Sequence, residues 1–227
     1  IINTDTKNLL FKKYFSKRIR KNYDSIAYTT IITHSKISNN TAEQFFTKYG
    51  PLAFLPISNT KTSIVFSVFD QDLIKNKLKI RKLIESYNKN YQIKDMKELE
   101  SFPLNLSLSH NYFHKNILSF GDALHKIHPL AGQGFNMTLR DLKTFSKIIE
   151  DKINLGLNLD NSIYEQFQNE TKHYNSVFSF GIDFIYEFFK FDNKFENNYS
   201  NKLLKFIGKN KYFNHMISKY ADEGLSL

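Results

Sequence analysis

An α/β fold, α+β over the residues present, is predicted by three features of the sequence. Asn116–Phe120 (NILSF) is a short apolar run that reads as a buried strand. Beyond a loop with three of the eight glycines and one of the four prolines, Leu139, Leu142, Phe145, Ile148 and Ile149 recur at helical spacing. Segments rich in β-branched and aromatic residues read as further strands, two of them joined as a hairpin. In the last third Ile163, Phe167, Tyr174, Phe178, Ile182, Ile185 and Phe189 step by three or four through a long helix.

Taken in order, Ile1–Asp5 reads as the end of a strand and Asn8–Arg20 as a basic, apolar-spotted helical segment. Tyr23–His34 is a strand closed by the polar turn Ser35–Asn40. Thr41 is placed to cap a short helix over 41–49 that carries Phe45 and Phe46 and stops at Gly50-Pro51. Leu52–Ile57 and Thr62–Phe69 form a hairpin around the four polar residues Ser58 to Lys61. Asp70–Asn90 is an amphipathic helix with Leu73, Lys77, Ile80, Leu83, Ile84 and Tyr87 along one face. Phe102–His110 alternates as a half-solvated strand and turns through Asn111–Lys115 into NILSF. After the loop Asn154–Asn161 comes the long aromatic helix, interrupted at Gly181. Leu203, Phe206, Ile207, Phe213, Ile217 and Tyr220 then form a last helical hairpin. These aromatic helices read as core, with a face at Phe184–Phe191 that suits a membrane or a partner enzyme.

Composition narrows the chemistry. There is no cysteine, so thiol nucleophiles, disulfides and cysteine-ligated metals are excluded. The net charge of +10 suits an acidic surface, but the lysines are spread throughout, which points to a solvated exterior and to no nucleic-acid role. No run of ~18 apolar residues occurs, so no transmembrane helix is expected. The predicted location is cytoplasmic, with a peripheral position on the inner membrane as the variant.

The loop between NILSF and the following helix concentrates the binding features. Gly121 ends the strand, and Asp122 places a carboxylate at the strand's carboxyl end, where open α/β sheets bind ligands. Gly132 and Gly134 permit close approach of a ligand to the backbone. A helix beginning near Gln133–Asn136 offers unpaired N–H groups and the positive end of its dipole to an electron-rich acceptor. Asp122, His125 and His128 together contain the residue types of a metal site. Pro129 and its loop prevent the regular helix that would bring the histidines to one face, so no metal is expected.

Phe120–Asp141 (FGDALHKIHPLAGQGFNMTLRD) closely resembles the second flavin-contacting motif of the FAD-dependent aromatic hydroxylases with the para-hydroxybenzoate hydroxylase fold. Within them it is most similar to the ubiquinone-biosynthesis hydroxylases, whose wording is GDAAHxxHPLAGQGxNxGxxD; Leu124 and Thr138 depart from it. Phe45, Gly50, Pro51, Leu52, Ala53, Leu55 and Pro56 resemble that family's RFxxxGPLALLPL phrase. Asp5 to Lys12 lines up with DGxxSxxR, matching at Asp5 and Asn8 and departing at Thr6, Leu9 and Lys12.

The resemblance implies FAD as cofactor, NAD(P)H as reductant and hydroxylation of an aromatic ring with O₂. It implies that Asp122 bonds a ribityl hydroxyl and that the backbone at Gly134, Phe135 and Asn136 faces the flavin's pyrimidine edge. Gly121, Pro129, Gly132, Gln133 and Asp5 complete the expected cofactor-binding set. The substrate implied is a polyprenylated phenol or quinone precursor, with other ubiquinone-biosynthesis proteins and the membrane surface as partners. His128, Phe45, Phe54 and Phe66 are the expected lining of its pocket and tail channel. No side-chain acid or base is demanded by oxygen transfer, so no catalytic residue is nominated. The organisation implied is 1–22 as the end of the FAD-binding portion and 23–115 as the antiparallel substrate-domain sheet and helix. The return to the FAD-binding domain is expected at 116–152, and C-terminal helices at 153–227.

A strand–GxGxxG–helix unit is absent, since Gly132 to Met137 lacks the third glycine. The chain is therefore expected to be the C-terminal half or more of such an enzyme, weak in FAD binding by itself. Rival readings are a hydroxylase of another aromatic compound and a non-catalytic assembly or lipid-binding relative.

Overall fold

The computed structural model describes residues 1–129 and 132–194. The predicted helical hairpin at 203–220 lies outside the described residues. The chain divides into two compact units. The first takes Ile1–Lys21 and Asn105–Phe188; the second takes Asn22–Leu104 and the end of the last helix. The return to the first unit thus falls at Asn105, inside a strand, earlier than the position 116 expected from the sequence.

In the first unit, β1 (Ile2–Asn3) pairs in parallel with β9 (Ile117–Ser119), which pairs antiparallel with β8 (Phe113–His114). Asn8 caps α1 (Leu9–Tyr14) by accepting from the Phe11 amide at 2.8 Å. Beyond α1 the predicted helix gives way to β2 (Arg18–His34), whose basic start Arg18 to Asn22 carries no β-branched and aromatic run of its own, so its pairing within the sheet overrides the local reading. A single 3-10 turn, Gly121–Ala123, and β10 (His125–Lys126) lead to α4 (Gln133–Asn154) and then α5 (Ser162–Lys194). Gly181 does not interrupt α5; its flanks bury Ser179 and Ile182 on one face, so packing outweighs the propensity cost of one glycine. Phe120, Phe145 and Phe167 form the aromatic centre of this unit, Phe120 stacked on Phe167 and Phe145 edge-on to Phe167, joined by Leu118, Ile148 and Ile163.

In the second unit, β2 pairs antiparallel with β5 (Lys61–Val68), β5 with β4 (Gly50–Ser58) and β4 with β3 (Glu43–Thr47); β6 (Ile93–Met96) joins β2 on its other edge. Residues 43–47 are therefore a strand and not the expected helix. Phe45 there pairs with Leu52, and cross-strand packing overrides local propensity. Gly50 opens β4 instead of ending a helix, and the β4–β5 turn is only Asn59-Thr60, with a bulge at Pro56/Ser58. The single helix expected over 70–90 is two: Asp70 caps α2 (Gln71–Ile74), and Asn76 caps α3 (Lys77–Tyr87). Leu73, Ile80 and Ile84 cover one sheet face, while Lys77 points outward and donates to the Leu99 carbonyl. β6 was not anticipated. β7 (Glu100–Ser109) runs from this unit into the first, where β10 pairs with Ser107 and Leu108.

A buried polar chain ties the first unit together. His125 Nε2 meets the Asp141 carboxylate at 2.6 Å, with both side chains 2 % exposed. A carboxylate can only accept, so the ring proton lies on Nε2. Asn175 Nδ2 donates to the other Asp141 oxygen at 2.9 Å and reaches the Tyr112 hydroxyl at 3.4 Å. β10, α4 and α5 are thus held by one carboxylate, and Asn175 extends the chain to Tyr112 in the loop before β8. His128 is fully buried and stacks on Tyr186 of α5, centroids 4.0 Å apart. Burial pushes its imidazole down to about 3, against a smaller opposing effect of Asp183.

Three outcomes follow for stability. Gly50→Ala would set a Cβ 1.8 Å from the Ser67 carbonyl at a φ of +132°, so a loss above ~3 kcal/mol is expected in denaturant unfolding. Asp141→Ala strands the His125 and Asn175 donors and should cost about 3–5 kcal/mol by the same assay. For His128, the unfolded ring with its ordinary 6.5 takes up a proton before the folded one as pH falls. The stability it contributes is complete above that value and lost below it at about 1.4 kcal/mol per pH unit. Between pH 6.5 and about 5 the native protein should lose ~2 kcal/mol that His128→Phe does not.

Candidate functional site

Asn3 and Ser119 are register partners in the parallel pair, and the Phe120 amide donates to the Asn3 carbonyl at 2.9 Å. Asp5 and Gly121-Asp122 therefore leave the sheet from the same carboxyl edge. This is the edge at which open parallel sheets receive ligands. Asp5 turns its carboxylate to the Lys7 amide at 2.8 Å, a local turn on an exposed loop.

At Gly121 the backbone takes φ +60°, a left-handed conformation that only glycine adopts readily, and the chain reverses into the 3-10 turn. A Cβ there would meet the Thr138 methyl at 3.7 Å, so the turn lies against the second turn of α4. Asp122 is exposed, and its carboxylate has no hydrogen-bond or ionic partner among the described residues.

α4 begins at Gln133, with Gly132 as its N-cap in the left-handed region. Among the described residues no side chain caps the helix, and no acidic residue lies in its first turn, so none of them satisfies its first N–H groups through a cap. A Cβ on Gly132 would meet nothing within 4 Å, whereas one on Gly134 would touch Ile127 at 3.6 Å. Open space thus faces the cap. Gly134 and Asn136 are half-buried, Phe135 is 70 % exposed, Pro129 is exposed and Gln133 is buried. Asn136 sits inside the first turn. Thr138 donates to the Gly134 carbonyl at 3.2 Å, which satisfies a hydroxyl where the motif has glycine.

The two histidines are engaged elsewhere: His125 on Asp141, His128 on Tyr186. Among the described residues no group of three His, Cys, Asp or Glu is arranged to hold a metal. His128 carries no exposed surface and packs the loop against Tyr186 of α5.

The aromatic trio of the second unit is placed differently from the expectation. Phe54 and Phe66 are buried at 1 % and 0 %, and Phe45 packs edge-on against Phe54. Register explains this. Tyr28, Phe66, Leu52 and Phe45 stand in one cross-strand row, and Thr30, Ile64 and Phe54 in the next, all on the face covered by α3. These three phenylalanines fill the core. Alternation puts Thr29, Val65, Ala53 and Gln44, then Ile31, Ser63 and Leu55, on the opposite, half-open face.

Sequence reasoning also missed Arg18. It lies at the start of β2, half-buried, and its guanidinium donates to Ser107 Oγ at 2.7 Å and to the Ala123 carbonyl at 2.6 Å. Burial, helped by Arg20, pushes its pKa down to about 10. One of two arginines in a segment as basic as Lys17 to Lys21 carries no signal that marks it apart from its neighbours.

Comparison with known proteins gives the setting. Human ubiquinone biosynthesis monooxygenase COQ6, mitochondrial, is 25 % identical over 207 residues, covering 72 % of this chain and 44 % of that protein. The Caenorhabditis elegans protein of the same name is 24 % identical over 196 residues, and ubiquinone hydroxylase UbiL of Rhodospirillum rubrum 26 % over 144. The chain spans less than half the length of these curated relatives. Among solved structures, a Klebsiella pneumoniae HpxO variant complexed with FAD superposes with a TM-score of 0.71 at 12 % identity, over 97 % of this chain and 60 % of that one. PqsL of Pseudomonas aeruginosa, described as a probable FAD-dependent monooxygenase, gives 0.65 at 15 %, over 85 % and 56 %. The fold is thus that of the para-hydroxybenzoate hydroxylase-like flavoproteins. The sequence model of the squalene epoxidase family matches residues 11–216, and the chain belongs to that family.

Proposed function

We propose that this chain supplies the flavin-facing loop and the substrate sheet of an FAD-dependent monooxygenase. In this reading it hydroxylates a polyprenylated phenol or quinone precursor with NAD(P)H and O₂. The observation that carries the reading is the pairing of an exposed, unpartnered Asp122 with the uncapped start of α4, across the turn at Gly121. The donor set fits the cofactor. A carboxylate accepts from sugar-alcohol hydroxyls, backbone N–H groups receive an electron-rich ring edge, and a Cβ built on Gly132 would meet nothing within 4 Å.

Bound FAD supplies the electron transfer and oxygen chemistry. The residues of this chain do the rest: Asp122 holds the ribityl chain in register, and the amides of Gly134, Phe135 and Asn136 favour negative charge at the ring edge. Pro129, Gly132 and Gln133 shape the approach to them, and Asp5 stands at the same sheet edge. His125 and Asp141 keep the loop in place without entering the chemistry. For the tail of the substrate, the half-open face bearing Ile31, Ala53, Leu55 and Val65 is the apolar wall to consider, since Phe54 and Phe66 are enclosed. A peripheral membrane position is supported by the exposed stripe Val177, Phe180 and Phe184 on α5. No helix among the described residues is long and apolar enough to cross a membrane.

One observation favours a second reading, a non-catalytic relative. The motif position of an arginine is Lys12, exposed in the last turn of α1, and Asp5 is occupied by Lys7. The test separates the two. Protein made from its whole coding sequence should purify yellow, and Asp122→Ala should weaken FAD binding by about 10–100-fold with an unchanged melting temperature. A folded, colourless product overturns the enzyme reading and leaves the scaffold. Loss of quinone hydroxylation in a deletion strain, restored by the native gene, identifies the substrate class.

A further inference from the structure

The environment of Arg18 is unusual for a surface-strand arginine. Its Nε donates to Ser107 Oγ at 2.7 Å, one terminal nitrogen to the Ala123 carbonyl at 2.6 Å, and the other to the carbonyls of Ser107 at 3.1 Å and Leu124 at 3.4 Å. The guanidinium also lies over the Phe11 ring, 5.0 Å from its centroid. Among the described residues it has no carboxylate within ion-pair distance. A half-buried cation whose partners are all neutral oxygens is costly to desolvate, and the protein keeps it where two of those oxygens immediately follow Asp122.

We propose that Arg18 is a positioning residue for Asp122: its planar fork clamps the carbonyls of Ala123 and Leu124, fixing the 3-10 turn from which the carboxylate projects to its ligand. The clamp has a second arm. The Leu124 carbonyl also accepts from the Ser109 amide at 2.8 Å, and the Leu124 amide closes the turn on Gly121 at 2.8 Å. Backbone contacts alone therefore tie the turn to β7, and Arg18 adds the tie to β2 that fixes its tilt. Lysine at this position would keep the charge but, with one nitrogen, could not span oxygens on both sides. The inference rests on the flavin reading above, because it gives a purpose to the orientation of Asp122.

The experiment is a double-mutant cycle on FAD affinity, read by flavin fluorescence and visible absorbance, in protein made from its whole coding sequence. Arg18→Lys should weaken FAD by about tenfold in the native background and by less than about twofold in Asp122→Ala. Ser107→Ala, which removes only the Nε acceptor, should give a smaller loss that likewise vanishes without Asp122, and it serves if Arg18→Lys fails to fold. Equal losses in both backgrounds would make Arg18 a structural stitch and overturn the proposal, as would no loss in either. If Asp122→Ala weakens FAD while both clamp variants bind normally, only the clamp fails. If the native protein binds no FAD, the flavin reading fails with it.

Discussion

The parallel pairing of Asn3 with Ser119 is the constraint on which the site depends. Two residues of register bring sequence positions more than a hundred apart to one sheet edge, and both motif fragments begin just beyond that edge. Parallel pairing demands that the intervening chain go elsewhere and return, and the second unit is that excursion. Its antiparallel sheet closes its own core around Phe54, Ile64 and Phe66 against α3, so its interior is complete without the first unit's. A ligand-binding edge and an independently cored sheet are thus two solutions to one topological requirement.

Holding the edge open is an electrostatic problem, solved by keeping charges apart. Asp141 is withdrawn into the interior and satisfied by His125 and Asn175, so the loop is braced by a carboxylate that stays out of solvent. Asp122, one turn away, is left in solvent and unspent. Arg18 lies behind the turn, facing carbonyls and not the carboxylate in front of it. Had a salt bridge joined Arg18 to Asp122, the site would lose its acceptor; placing the cation on the backbone oxygens gives rigidity without neutralisation.

The sequence made the strand–loop–helix legible because its periodicity changes abruptly from apolar run to glycine-rich loop to helical stripe between Asn116 and Ile149. It located the start of α4 to within a few residues for the same reason. It misread residues 43–47, where two adjacent phenylalanines suit a short helix as well as an edge strand and only the Leu52 side of β4 decides. It also assigned Phe45, Phe54 and Phe66 to a channel. Both faces of that sheet carry apolar side chains, Leu55, Val65 and Ile31 on one, Phe54, Ile64 and Phe66 on the other, so alternation alone could not say which was inside.

By itself, the chain of residues determined the class of the fold, the order of its main elements and the loop that brings glycines, a carboxylate and a helix start together. These depend on local backbone preference and short spacing, which are written in consecutive residues. Tertiary structure alone decided which carboxylate is buried and which is exposed, which sheet face is core, and that Arg18 donates to the backbone of the turn after Asp122. Each of these depends on contacts between segments far apart in sequence, where burial and pairing, not residue type, set the role of a side chain.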